Sequence, residues 1–315
     1  MKIVVLDAGT LGNDISLSPI CDLYETDVYQ FTLPEEIEKR VHGHDVIVTN
    51  KLKINQNTLG SSLPKLVCVT ATGYDNIDMD FCKKNNIAVC NIVGYSTASV
   101  AQLTLAMVLN LCTHIPEYTD FVNSGKYSQS NTANRLSPTF NELNGKTWGI
   151  VGFGNIGKKV AEIAKSFGCS ILVNKRTPAD GCNCVDIDTL CKESDIITIH
   201  TPLNDSTFNL IDEKLISKMK STAILVNVAR GAVCNEQALA DAILNKKIAG
   251  LGIDVYTKEP FDTEHPFNKL LGLPNVCLTP HMAWGAYEAR MRCITEIRDN
   301  IKAFESGQIR NRVDV

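Results

Sequence analysis

The sequence predicts a doubly wound α/β chain folded as two parallel-sheet domains. Short apolar runs alternate with longer segments of helical spacing along the whole chain, one of those runs leads straight into a glycine-rich turn, and the composition is that of a globular protein. At 315 residues the chain is long enough for two cores. Its 44% hydrophobic and 21% charged residues exclude a disordered or fibrous chain. A formal net charge of −4 speaks against a general nucleic-acid or anionic-membrane surface, so the basic residues that matter act locally.

The N-terminus "MKIVVLDAGT" reads as a first strand rather than a signal peptide, because its apolar run ends at Asp7. No segment approaches the apolar length that spans a bilayer, and the expected location is cytoplasmic. Further strands are expected at 46–50, 66–71 and 87–92, the first at 3–8. The stretch "ASVAQLTLAMVLNLCTHI" (98–115) gives a long helix, apolar nearly all round, which must bury most of its surface in a core or a subunit interface. After the polar loop "SGKYSQSNTANRLSPTF" come strands at 148–151, 171–174, 196–200, 223–229, 249–254 and 276–279, each pair bracketing a helical segment. This is a six-strand doubly wound unit of the Rossmann type. From Gly285 on the chain is helical, with Ile294, Ile297, Ile301 and Phe304 in one buried stripe.

Twelve cysteines in a chain of this length suit reduced thiols rather than a disulfide framework. Cys182, Cys184 and Cys191, and the pair His42 and His44, lack the paired spacing of a zinc site, so no metal is expected.

In "WGIVGFGNIGKKVAEIAKSFG" Gly152, Gly154 and Gly157 form G-x-G-x-x-G directly after a strand and before an amphipathic helix. Ile156, Val160, Ile163, Ala164 and Phe167 line one face of that helix, and Gly168 is placed to end it. The glycines permit a tight turn and close approach to a pyrophosphate, whose charge meets the N–H groups that open the helix. An acid about twenty residues past the motif would hold the ribose of NAD. Lys175 and Arg176 stand there instead, eighteen and nineteen residues past Gly157. Their charges suit a 2′-phosphate, so NADP(H) is expected over NAD(H), with a solvated turn as the alternative reading of the two cations.

Three more segments end strands of the same sheet, the edge where doubly wound folds bind ligands. "LVNVARG" places Arg230 just past a strand, "GLGIDVYTKEP" puts Glu259 on the following loop, and "VCLTPHMAW" places His281 after the final strand. An arginine to anchor a carboxylate, a histidine to donate a proton and a carboxylate to keep it charged suit reduction of a 2-keto acid. Asn50 and Lys51 also end a strand, where a helix-capping turn explains them equally well. His114 and His200 read as structural.

On these residues, and on "TATGYDNID" (70–78), "YSTASVAQ" (95–102), "HTPLNDST" (200–207), "NVARGA" (227–232), "DVYTKEP" (254–260) and "PHMAW" (280–284), the chain resembles the D-isomer-specific 2-hydroxyacid dehydrogenase family over about its whole length. "YSTASVAQ" and "PHMAWGAYEAR" are most similar to its bacterial glycerate dehydrogenase, or hydroxypyruvate reductase, branch. Lys175 departs from the acid of NAD-using members.

The resemblance implies a Rossmann dinucleotide-binding domain, 98–284, inserted into a flavodoxin-like substrate domain, 1–97 plus 285–315, with the active site in the cleft. It implies a homodimer, with the 98–115 helix in the interface. It gives catalysis to Arg230, Glu259 and His281. Substrate binding falls to Thr72, Gly73 and Trp284, the first two through backbone N–H groups and the last by limiting side-chain size. Cofactor contacts fall to Gly152, Gly154, Asn155, Ile156, Gly157, Lys175, Arg176, Thr201, Pro202, Val228, Ala229 and Asp254, the last holding the nicotinamide amide. The expected reaction reduces hydroxypyruvate or glyoxylate to D-glycerate or glycolate, with no nucleic-acid or membrane partner. The competing readings are a 2-ketogluconate or D-lactate type of dehydrogenase, and a dinucleotide-binding corepressor without turnover. The lack of added tails speaks against the corepressor. Glu259 speaks against the formate enzymes, which resemble the family but pair the histidine with glutamine.

Overall fold

Five short strands and a long C-terminal helix make the first of two units in the computed structural model, which describes residues 1–177 and 181–315. This unit comprises Met1–Ser96 and Trp284–Val315; the second is Thr97–Ala283. Thr97 and Trp284 thus each lie one residue across the expected edges. Thr97 begins a helix of the second unit, and the Trp284 ring tilts against Tyr95 of the first at 6.5 Å.

The strands β1 (Lys2–Val5), β2 (Glu25–Val28), β3 (Val46–Thr49), β4 (Leu66–Val69) and β5 (Ala88–Cys90) form a parallel sheet in the order β2-β1-β3-β4-β5. That is the flavodoxin-like order. β3 and β4 are buried at every position because helices cover both faces of such a sheet, and they read as unbroken apolar runs for that reason. β2 was not expected. Its "ETDV" sits at the sheet edge, partly exposed, where polar residues cost little and the apolar signal is missing. The helices α1 (Ser18–Cys21), α2 (Ile37–Val41), α3 (Gln56–Leu59) and α4 (Met79–Lys84) are short. The C-terminal helix (Tyr287–Glu305) lays Ile294, Ile297 and Ile301 on the core, each worth about 1.5–3 kcal/mol of burial, with Phe304 half-buried beyond them.

In the second unit α5 (Thr97–Thr113) and α6 (Ile115–Asn123) precede β6 (Thr147–Val151), β7 (Ser170–Asn174), β8 (Ile196–Ile199), β9 (Ile224–Asn227), β10 (Gly250–Ile253) and β11 (Val276–Leu278). The parallel order is β11-β10-β9-β8-β6-β7. A single rung pairs Val173 of β7 with Cys184, so the chain returns along the outer side of β7 before crossing to β8. Counting that leg, the strand order is 3-2-1-4-5-6-7, and its direction reverses between β6 and β8, where doubly wound folds bind nucleotides. α7 (Asn155–Ser166), α8 (Ile187–Glu193), α9 (Glu213–Ile216) and α10 (Glu236–Leu244) fill the crossovers.

Of the surface that α5 is expected to bury in a core or a subunit interface, the core of the second unit takes one face, and the expectation for Phe167 is corrected. α5 buries only one face, with Val100, Thr104, Met107, Val108 and Leu111 inward, against α7 and the β9–β11 side of the sheet. Leu105, Leu109 and Cys112 are half-exposed and Ala106 exposed, because the sheet covers a single side of the helix. Phe167 is 41% exposed rather than on the inner face of α7: the helix stops at Ser166, and Gly168 at φ +80° turns the chain away. Among the described residues no single helix is long and apolar enough to cross a membrane.

Candidate active site

The glycine fingerprint owes its residue type to contacts within the second unit. Gly152, at φ +92°, passes so close to the end of β8 that a Cβ there would stand 2.6 Å from the Thr201 nitrogen. A Cβ on Gly157 would stand 2.2 Å from the Gly152 carbonyl oxygen. A Cβ on Gly154 would meet nothing within 4 Å. Two glycines are therefore demanded by packing, and the third leaves space at the start of α7. Gly154 is the N-cap of α7 and has no side chain to offer, so the first N–H groups, beginning at Asn155 and Ile156, are left for another acceptor. Helix N-terminus, open glycine and strand-order reversal coincide, which fits a dinucleotide pyrophosphate. Thr201 and Pro202 follow β8 on the same edge, half-buried and exposed respectively. Beyond β7 Lys175 is half-buried and Arg176 exposed.

After β9 the buried Asn227 shapes the turn that carries Arg230. Its Oδ1 accepts the Ala229 N–H at 3.0 Å and its Nδ2 donates to the Arg230 carbonyl at 2.8 Å. Val228 is buried, Ala229 half-buried, and Arg230 Nη1 donates to the Ala229 carbonyl. Asn227 was not singled out in the sequence, although "NVARGA" contains it.

The Nδ1 of His281 lies 2.6 Å from Oε2 of Glu259. Glu259 Oε1 accepts the Tyr256 N–H at 3.0 Å, so the loop's own backbone aims the carboxylate. A carboxylate only accepts, which makes Nδ1 the donor in this contact. His281 is held at φ +52°, a left-handed conformation uncommon for a non-glycine residue. Asp254 ties that turn down. Its Oδ1 accepts the Thr279 hydroxyl at 2.6 Å and the Met282 N–H at 2.8 Å, and its Oδ2 accepts the Ala283 N–H at 2.9 Å. Asp254 is fully buried, and burial pushes its carboxyl up against the pull of these bonds. Asp254, expected to hold the nicotinamide amide, lies buried beneath the histidine turn and orders it. A cavity of about 470 Å³, lined by Tyr256, Phe261 and Leu278 among others, opens beside Glu259 and His281.

In the first unit the Thr72 hydroxyl donates to the Ile92 carbonyl at 2.8 Å and the Thr72 carbonyl accepts from Asn91 at 2.7 Å, which fixes the exposed turn that continues into Gly73. Trp284 is half-buried against that unit's core. Asp7, missed in the sequence, follows β1 with a buried carboxylate that accepts the N–H groups of Asn50 and Lys51. His200, expected to be structural, has both ring nitrogens buried and without a hydrogen-bond partner among the described residues.

Residues 105–283 match the family model described as "D-isomer specific 2-hydroxyacid dehydrogenase, NAD binding domain". The chain belongs to this family. A hydroxypyruvate reductase of Blautia hydrogenotrophica is 34% identical over 100% of both chains. A glyoxylate reductase of Thermococcus litoralis is 38% identical over 86% of this chain and 83% of its own. Among solved structures, an acyclic imino acid reductase in complex with NADPH and D-Arg superposes with a TM-score of 0.88 at 31% identity, covering 99% of this chain and 100% of its own. The protein is thus a D-2-hydroxyacid dehydrogenase, an oxidoreductase that uses a nicotinamide dinucleotide.

Proposed function

We propose that this dehydrogenase reduces hydroxypyruvate or glyoxylate to D-glycerate or glycolate, with NADPH as the preferred reductant. The single observation that carries the reading is the 2.6 Å contact between His281 and Glu259 on a turn fixed by Asp254. The named activities of the Blautia and Thermococcus relatives supply the substrate class.

The hydride that reduces the 2-keto carbon would come from the dinucleotide, held by the residues named below. In the proposed mechanism protonated His281 gives its Nε2 proton to the carbonyl oxygen, and Glu259 on Nδ1 stabilises the imidazolium before transfer. Histidine suits a group that acts as acid in one direction and base in the other. Arg230 holds the substrate carboxylate and polarises the carbonyl, a role its planar guanidinium fills by paired hydrogen bonds. Thr72 and Gly73 supply backbone N–H groups to the same carboxylate, and Trp284 limits the substrate side chain. Gly152, Gly154, Asn155, Ile156 and Gly157 hold the pyrophosphate, while Thr201, Pro202, Val228 and Ala229 line the cofactor along the sheet edge. Lys175 and Arg176 take the 2′-phosphate. Asp254 acts in this scheme by positioning His281.

The half-exposed apolar face of α5, centred on Leu105 and Leu109, supports a homodimer, which light scattering of the purified protein checks.

The test is the initial rate of hydroxypyruvate and glyoxylate reduction with NADPH and with NADH. A kcat/KM at least tenfold higher for NADPH, about 1.4 kcal/mol, is the expected result. Arg176→Ala should erase most of that difference. Equal use of NADH overturns the cofactor preference, and no turnover of either keto acid overturns the substrate class.

A further inference from the structure

We propose that Tyr256 is a positioning residue for the proton-transfer pair, holding Glu259 through its backbone N–H and the His281 turn through its hydroxyl. The inference rests on the proposed acid–base roles of His281 and Glu259. All of the residues concerned lie in the second unit. The Tyr256 N–H donates to Glu259 Oε1 at 3.0 Å, and the Tyr256 hydroxyl donates to the Thr279 carbonyl at 3.0 Å. That carbonyl also accepts the His281 N–H at 3.1 Å, closing a three-residue turn with Pro280 at its centre. A carbonyl oxygen has two lone pairs, so it takes both donors. One residue thereby reaches both partners of the 2.6 Å contact, which stand 22 positions apart in the chain. Tyr256, Glu259, Thr279 and His281 line the same cavity.

The hydroxyl completes the fixing of Thr279. The Thr279 N–H donates to the Ile253 carbonyl at 2.9 Å, its hydroxyl donates to Asp254, and its carbonyl is held by Tyr256. Asp254 and Tyr256 therefore grip the turn at different atoms. Asp254 takes the Thr279 side chain and the N–H groups that follow His281, whereas Tyr256 takes the carbonyl that precedes it. Burial, with the charges of Asp254 and Glu259 adding to it, pushes the Tyr256 phenol up to about 12. The hydroxyl thus keeps its proton, and remains a donor, wherever a histidine exchanges one.

The ring that carries the hydroxyl is itself confined. It packs on Phe261 with centroids 4.8 Å apart, and meets His265 at 6.1 Å and Phe267 at 6.2 Å edge to face. Glu236, the first residue of α10, fastens the loop from behind. Its Oε1 accepts the Thr257 N–H at 2.8 Å, and its Oε2 lies 3.1 Å from His265 Nε2, with both side chains largely buried. The Phe267 N–H donates to His265 Nδ1 at 3.2 Å, which leaves Nε2 to carry the ring proton towards Glu236. The consecutive N–H groups of Tyr256 and Thr257 are each held by a carboxylate, one in the proton-transfer pair and one behind it.

The test compares full-length wild type, Tyr256→Phe, His281→Ala and the double variant, using the keto acid and dinucleotide that the wild type turns over fastest. Thermal unfolding is recorded for each, and rates are taken well below every Tm. Tyr256→Phe removes one hydroxyl and keeps the ring, so Tm should fall by no more than about 4 °C. The expected result is a kcat lowered about tenfold with the keto-acid KM within about twofold of wild type, since the displaced groups move a proton and do not anchor the carboxylate. In the His281→Ala background the same change should alter the residual rate by less than about twofold, because the group it positions is gone. A wild-type kcat for Tyr256→Phe overturns the inference. So does a loss confined to KM, or one that repeats in full without His281, the mark of a general structural role. A wild-type rate for His281→Ala overturns the proton-transfer reading itself, and that result is read without any change at Tyr256.

Discussion

Gly231 packs its backbone directly on that of Tyr256: a Cβ added to it would stand 2.1 Å from the Tyr256 carbonyl carbon and 2.2 Å from the Thr257 nitrogen. The residue after Arg230 is thereby pressed against the loop that leads to Glu259, and both neighbours are main chain that cannot swing aside. Gly231→Ala forces the two segments apart. The expected cost is about 1–3 kcal/mol, read as a lowered urea midpoint, with kcat falling at least tenfold as the loop shifts. A variant with wild-type stability and rate would show that the loop moves freely.

The 2.6 Å contact of His281 with Glu259 predicts an unequal pair of variants. His281→Ala removes the proton donor and should lower kcat by about 10²–10⁴-fold. Glu259→Gln keeps an acceptor for Nδ1 but loses the negative charge, so a smaller loss is expected, with substrate KM little altered because the substrate anchor is untouched. Steady-state kinetics on hydroxypyruvate decide it. A fall confined to KM would assign the pair to binding instead of proton transfer.

Much of this site was legible in the sequence because its residues follow apolar strands. Buried parallel strands such as β3, β4 and β9 announce themselves as unbroken runs, and whatever follows them lies at the ligand edge. Arg230, Glu259, His281 and the glycine turn were placed in that way. What stayed hidden depends on contacts distant in the sequence. β2 carries no apolar pattern at the sheet edge, and Asn227 and Asp7 act through hydrogen bonds that local spacing does not encode. Phe167 has the helical spacing of a core residue, yet the helix ends one residue before it.

Asp254 offers a prediction about order in the histidine turn. Its three donors, from Thr279, Met282 and Ala283, come from the turn on both sides of His281. Asp254→Ala leaves the Met282 and Ala283 N–H groups without their acceptor, at about 1–3 kcal/mol for each group that stays dry. Thermal unfolding should record the loss, and kcat should fall because the left-handed conformation of His281 is no longer held. Asp254→Asn, which keeps one acceptor oxygen, should recover part of both. Equal effects from the two variants would remove the turn from the explanation.

His200 predicts an acid limit to the fold. Burial pushes its imidazole down to about 3 from the usual 6.5, and both ring nitrogens are buried without a partner among the described residues. Below pH 6.5 the unfolded chain takes up a proton that the folded chain refuses, so acid favours unfolding. Full stability from this group is present above pH 6.5 and is lost as the pH falls towards 3, at about 1.4 kcal/mol per unit. His200→Leu removes the titrating ring without breaking a hydrogen bond seen here. Between pH 7 and pH 4.5 the variant should lose about 2–3 kcal/mol less stability than the wild type in urea titrations. At pH 7 the two should lie close together, since the wild-type ring is then neutral in both states. Parallel loss of stability in acid would mean that the ring takes up its proton in the folded protein as well, and that other groups set the acid limit.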